Sequence, residues 1–223
     1  MEELKLLCFL DVLGFESIFH SMGGLKKMEE CYDKLSTYAK KQEGGLDIIS
    51  LPDESVGVGW LVIGNAYFSD TILFWTQYNK MSLPSFTHLI AETICYSIEI
   101  QMPLRGTIAC GEAILDNESN MYIGEPMFEA KHTEELQNWI GVSFGRSFAK
   151  PDFNKEFYLN TVLPYKSHYK NAESENATGI VVDWPRRWRE SRKTNVRPLI
   201  SAMDTKQEFS IYYKNTLRFI DFS

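Results

Sequence analysis

An apolar run that ends in a carboxylate constrains this chain more than any other feature. Leu6-Leu7-Cys8-Phe9-Leu10 leads into Asp11, and Val12-Leu13-Gly14-Phe15 follows. The run predicts a buried strand, and Gly14 lets the chain turn from it into a helix. A second carboxylate, Asp70, sits within another strand-like stretch, Tyr67-Phe68-Ser69-Asp70-Thr71-Ile72-Leu73-Phe74-Trp75. Carboxylates are seldom buried alone, because losing water around a charge is costly. Two of them in apolar strands point to one shared cation. A divalent metal on Asp11 and Asp70, next to backbone N–H groups, suits a nucleoside triphosphate.

Bulk properties narrow the field. The 223 residues fit one large domain or a domain with appendages, and 44% apolar content supports a sizeable core. The net charge of −7 argues against broad binding to nucleic acid. Cys8, Cys31, Cys95 and Cys110 form no CxxC pair and have no histidine at zinc spacing. They read as reduced buried thiols, which implies a cytoplasmic protein. No secretory signal and no membrane span is expected. There is no Ser-His-Asp arrangement and no Walker-type phosphate loop.

Along the chain, residues 4–11 read as a strand and 15–41 as helix, interrupted at Gly23-Gly24. Leu46–Ser50 reads as a strand, and Pro52-Asp53-Glu54 breaks the pattern. Residues 56–64 and 66–75 predict a hairpin turning at Gly64-Asn65. A long helix starts near Pro84 with the apolar stripe Leu83, Phe86, Leu89, Ile90, Ile94 and Ile98. Strands follow at Arg105–Leu115 and Tyr122–Ile123, then a helix at 125–138 and a strand at Ile140–Val142. Phe157–Leu163 and Gly179–Trp184 read as strands, and Lys206–Phe219 as a closing helix. Arg186-Arg187-Trp188-Arg189 with Arg192 and Lys193 reads as a solvated basic face or a site for an acidic partner. Trp60, Trp75 and Trp139 read as core or dimer contacts. The order predicts an α+β fold, a mostly antiparallel sheet with helices packed on it.

Four ordered segments over residues 4–143 resemble the class III nucleotidyl cyclase family. They are Leu10-Asp11-Val12-Leu13-Gly14-Phe15, Phe68-Ser69-Asp70-Thr71-Ile72-Leu73, Leu104-Arg105-Gly106 through Gly111-Glu112, and Tyr122-Ile123-Gly124-Glu125-Pro126. Pro103-Leu104-Arg105-Gly106 and Gln137-Asn138-Trp139-Ile140-Gly141 are most similar to the pyrimidine cyclases of bacterial Pycsar anti-phage systems. The resemblance implies a ferredoxin-like cyclase core over 1–148, with 149–223 as a C-terminal extension packed on the same domain. It implies conversion of UTP (or CTP) to the 3′,5′-cyclic monophosphate and diphosphate, with two Mn²⁺ or Mg²⁺ ions. It also implies a homodimer with sites at the interface and a separate effector that responds to the cyclic nucleotide.

By the same resemblance, Asp11, Asp70 and the Val12 carbonyl hold the metals. Leu13, Gly14 and Phe15 offer N–H groups to the phosphates, or Gly14 only permits a tight turn. Arg105 can donate two parallel hydrogen bonds to phosphate oxygens, or it is a surface arginine. The sequence departs from the family at four positions. Ala66 and Met121 stand where purine cyclases read the base, which favours a smaller base with Tyr67 or Phe68 shaping the pocket. Phe128 and His132 stand where the transition-state Asn and Arg belong. Phe128 cannot orient a ribose oxygen by a hydrogen bond. His132 stabilises phosphate charge if protonated, or is a plain exposed helix histidine. A catalytically silent nucleotide-binding or dimerisation domain is therefore the alternative.

Overall fold

Apolar alternation builds the centre of the fold. In β1 (Leu4–Val12), Leu6, Cys8, Leu10 and Val12 face one side of the sheet, while Leu7, Phe9 and Asp11 face the other. The computed structural model describes residues 4–21, 25–42, 47–50, 56–59, 62–79, 82–149, 162–203 and 209–223. After β1 come α1 (Phe15–Ser21), α2 (Leu25–Gln42), β2 (Asp47–Ser50), β3 (Val56–Gly59), β4 (Gly64–Phe68) and β5 (Thr71–Gln77). Next are α3 (Ser82–Glu99), β6 (Leu104–Asp116), β7 (Met121–Gly124), α4 (Glu125–Glu135) and β8 (Gly141–Phe144). The chain closes with β9 (Val162–Pro164), β10 (Ile180–Val182), α5 (Trp184–Ser191), α6 (Arg197–Met203) and α7 (Ser210–Phe222).

The main sheet runs β4-β5-β1-β6-β8-β10-β9, with β7 paired to β6 and with β2 and β3 apart as a ribbon. Every named pair is antiparallel except β6 with β8. The α+β class and the mostly antiparallel sheet are as expected. On one face α2 and α3 bury Met28, Leu35, Phe86, Ile90, Ile94 and Ile98 against β1. On the other, Ala130 of α4 packs on Leu7 and Ala109. Reciprocal hydrogen bonds between Asn79 and Ser82 cap α3, at 2.8 and 2.9 Å. No disulfide forms, and Cys8, Cys31 and Cys95 are buried. Among the described residues no helix is long and apolar enough to cross a membrane.

Three readings change. The hairpin turns at Ser69-Asp70 and not at Gly64-Asn65, which pair inside the sheet with Trp75 and Phe74. The Trp75 indole occupies the space a Cβ on Gly64 would need, so this glycine serves packing. Asp70 accordingly sits in a turn, whereas the sequence places it mid-strand. The basic cluster is not a plain solvated face. Part of it forms α5, whose Arg187 ion-pairs with Glu92 of α3, and the neighbouring Arg192 reaches Glu92 at 2.5 Å. Glu92 is 3% exposed and also accepts from the Tyr38 hydroxyl at 2.8 Å. Burial alone would raise its carboxyl, but the Arg192 and Tyr38 hydrogen bonds and both guanidinium charges hold it below the usual range. The Gly23-Gly24 break, Pro52-Asp53-Glu54, Trp60, residues 157–161 and residues 206–208 lie outside the described residues.

His168, between β9 and β10, makes the stability of the fold depend on pH. It is fully buried, 2.8 Å from Ser143 Oγ through Nε2, with its ring 4.0 Å from that of Trp139. Burial pushes its imidazole down from 6.5 to about 3. As pH falls below 6.5 the unfolded chain takes up a proton that the native chain refuses. Stability from this group is therefore complete above 6.5 and is lost as pH falls toward about 3. Each pH unit in that window is expected to cost on the order of 1 kcal/mol. A His168 ring resonance that stays neutral well below 6.5 is the check, and an ordinary titration near 6.5 refutes it.

Candidate active site

Strand register assembles the site at one end of β1. Asp11 lies opposite Thr71 of β5 on one side and Arg105 of β6 on the other. The Val12 N–H donates to the Asp70 carbonyl at 2.9 Å, which ties the Asp70 turn to the end of β1. Ser69 in that turn takes φ 53°, and the Tyr32 hydroxyl of α2 donates to its carbonyl at 2.5 Å. Tyr32 thus anchors the turn that carries Asp70, a role the sequence did not reveal. Burial pushes the Asp11 carboxyl up, Arg105 pulls it down, and the Asp70 charge pushes it up again, for a net rise. The two carboxylates therefore share one electrostatic environment.

Arg105 is 9% exposed, and polar groups surround it. Its Nη1 donates to the Gln137 carbonyl at 2.8 Å, and its Nη2 reaches Asp11 Oδ2 at 3.4 Å. The same Nη2 ion-pairs with Glu134 of α4. Burial pushes the Glu134 carboxyl up to about 7, against the pull of Arg105 and with a push from Asp11. The Gln137 side chain fixes this corner, donating to the Gly106 carbonyl and Thr107 Oγ1 at 2.9 Å. Its Oε1 accepts from Trp139 Nε1 and Ser143 Oγ, both at 2.7 Å. The sequence pointed to Arg105 but to neither Glu134 nor Gln137 as its partners.

The turn after β1 is more committed than its sequence suggests. Leu13 is not a free phosphate donor, because its N–H donates to the Pro103 carbonyl at 2.9 Å. Gly14 takes φ 69°, a conformation that favours glycine. The Phe209 ring, just before α7, lies 3.4 Å from where a Cβ on Gly14 would stand. The N–H groups of Gly14 and Phe15 are left to open α1. That helix has only seven residues, so its dipole adds little. Tyr67 of β4 is half-buried, 5.5 Å from Tyr32 between ring centres. His132 is exposed in the last turn of α4, and Phe128, one turn before it, is 67% exposed.

Asp11 and Asp70 fit a divalent cation. Asp11 is partly desolvated and repelled by Asp70, and its countercharge, Arg105, is shared with Glu134. A hard cation between the two carboxylates would supply the missing charge, and oxygen donors suit Mg²⁺ or Mn²⁺. Among the described residues no group of three or more His, Cys, Asp or Glu forms a metal cluster. Further ligands would come from backbone, water or substrate.

The fold is thus an α+β sheet with helices on both faces and a two-carboxylate corner at the end of its central strand. A bacterial light-regulated adenylyl cyclase has a similar fold, at a TM-score of 0.50 and 9% identity, covering 91% of this chain and 57% of that one. A second structure of a bacterial light-regulated adenylyl cyclase gives 0.49 at 10% identity, covering 91% and 58%. The catalytic core of a rhodopsin-guanylyl cyclase with converted specificity, in complex with ATPαS, gives 0.45 at 12% identity, covering 73% and 84%. These structural neighbours are nucleotidyl cyclases, and at such identities the likeness is one of fold. This chain spans little more than half the length of the two adenylyl cyclases. No protein-family model matches the chain, and no curated protein matches it.

Proposed function

We propose that the chain is a metal-dependent pyrimidine nucleotide cyclase, making cyclic UMP (or cyclic CMP) and diphosphate from the triphosphate. The observation that carries this reading is the junction of the two acidic elements, where the Val12 N–H donates to the Asp70 carbonyl at 2.9 Å beside Asp11. Asp11, Asp70 and the Val12 carbonyl would hold two divalent cations. The chemistry those ions supply when bound is a lowered pKa at the ribose 3′-hydroxyl and neutralisation of the leaving diphosphate. The N–H groups of Gly14 and Phe15 orient the phosphates. Arg105 holds Asp11 in place and lends positive charge to the triphosphate side of the corner. Ala66, buried in β4, and Met121, 41% exposed in β7, carry no charge to read a purine. That favours a pyrimidine, with Tyr67 or Phe68 shaping its pocket.

The reading extends to a homodimer. Phe128, Ile114, Ile123 and Met121 are 67, 57, 58 and 41% exposed, more large apolar surface than α4 and the β6–β7 hairpin need alone. A second copy would cover part of this apolar surface. The cyclic product would act on a separate effector in anti-phage defence. The rival reading is a silent nucleotide-binding or dimerisation domain, favoured by Phe128 where a hydrogen-bonding residue is needed. Turnover of UTP with Mn²⁺, with EDTA, and by Asp70→Ala decides between them. The cyclase reading expects product with Mn²⁺, none with EDTA, and a loss of roughly 100-fold or more in Asp70→Ala. Nucleotide binding without product supports the rival.

A further inference from the structure

The C-terminal helix reaches the same corner from outside residues 1–148. Thr216 Oγ1 accepts from the Ile140 N–H at 2.8 Å, and Asn215 Nδ2 donates to the Asn138 carbonyl at 2.9 Å. Phe219 packs edge-on against Trp139 at 4.5 Å. These contacts fasten α7 to the segment that follows Gln137, whose carbonyl holds Arg105. From that anchored helix the half-buried Tyr212 places its ring 5.6 Å from the Arg105 guanidinium carbon. Phe209, 6.2 Å from Tyr212 between ring centres, lies against Gly14.

Consider what holds the guanidinium plane. Nη1 is fixed by Gln137, but Nη2 is shared between Glu134 in ion contact and Asp11 at 3.4 Å. Arg105 Nε is buried and has no acceptor among the described residues. Its partners along the edge therefore favour a swing toward Glu134 and away from Asp11. The guanidinium carbon also lies over the Tyr212 ring, at a distance where a ring attracts a cation.

We propose that Tyr212 is a positioning residue, whose ring keeps Arg105 aimed across Asp11 so that the C-terminal helix is a wall of the site. The ring acts through Arg105 and does not itself touch the reacting atoms. The importance of that aim for turnover rests on the cyclase reading above, whereas the aim itself does not.

The test uses the full chain with ¹⁵N-labelled arginine, Arg105→Lys assigning the Arg105 Nε–H resonance. Tyr212→Leu removes the ring, and Tyr212→Phe keeps it. The proposal expects a native Nε–H signal that is ring-shifted and slow to exchange, lost in Tyr212→Leu and retained in Tyr212→Phe. It also expects kcat/KM to fall about tenfold in Tyr212→Leu, with Tyr212→Phe within about twofold of native. Unchanged circular dichroism and thermal midpoint exclude loss of the helix. A native Nε–H that exchanges like that of an exposed arginine overturns the proposal, as does a signal unmoved in Tyr212→Leu. So does full kcat/KM in Tyr212→Leu where native protein is active. If native protein makes no cyclic product, the cyclase reading fails, and the resonance alone decides for or against Tyr212.

Discussion

Asp11→Asn is expected to lower turnover of the triphosphate by about a thousandfold or more while the protein stays folded. Asparagine keeps the shape of the side chain at the end of β1, so the pairing with Thr71 and Arg105 survives. Burial already pushes the Asp11 carboxyl up, so removing its charge costs the empty protein little. Arg105 keeps Glu134 and the Gln137 carbonyl as partners. What disappears on the cyclase reading is one of the two negative charges that would hold a divalent ion. Loss of Mn²⁺ binding, followed by electron paramagnetic resonance, should accompany the loss of turnover. Near-native turnover in a folded Asp11→Asn protein would remove this residue from the site.

Arg105→Met has a different signature, with stability falling along with activity. The substitution leaves Glu134, 4% exposed at its side chain, buried without its cation, and it also removes the donor to the Gln137 carbonyl. Breaking a buried pair from one side costs about 3 kcal/mol or more. The pH dependence has a definite sign. The Glu134 carboxyl is raised from 4.5 to about 7 by burial. Its contribution is fully present below 4.5 and is lost as pH rises through about 7. Without Arg105 the carboxyl moves higher still, so the variant's deficit should be smallest in mild acid and widest above about 7. Urea denaturation of native and variant protein across that range reads the gap directly. A gap independent of pH would mean that Glu134 and Arg105 are not coupled.

Local patterns carried the fold class and the strand that reaches Asp11. A carboxylate at the end of an apolar run is visible in one dimension, and so is the apolar stripe of α3. The turn at Ser69-Asp70 was not, because Gly64-Asn65 is an equally good turn pair by composition. Packing of Trp75 on Gly64 decides between them, and that contact exists only once β4 and β5 pair. The surroundings of Arg105 were hidden for a similar reason. Glu134 sits in a helix of polar appearance, and Tyr212 is far away in the chain. The basic cluster misled because arginines usually face water. The signal against that lay in α3, where Glu92 interrupts an apolar helix and demands cations from elsewhere. Position in the sequence shows which residues can do chemistry, and only register and packing show which of them meet.

The measurement that bears most directly on the cyclase reading is a panel of ATP, GTP, CTP and UTP. Each is incubated separately with the purified chain and Mn²⁺, with EDTA as the control, and products are read by mass. A pyrimidine cyclase gives a 3′,5′-cyclic pyrimidine monophosphate and diphosphate with Mn²⁺, nothing with EDTA, and no cyclic purine product. No product from any triphosphate, or a cyclic purine nucleotide, would contradict that reading.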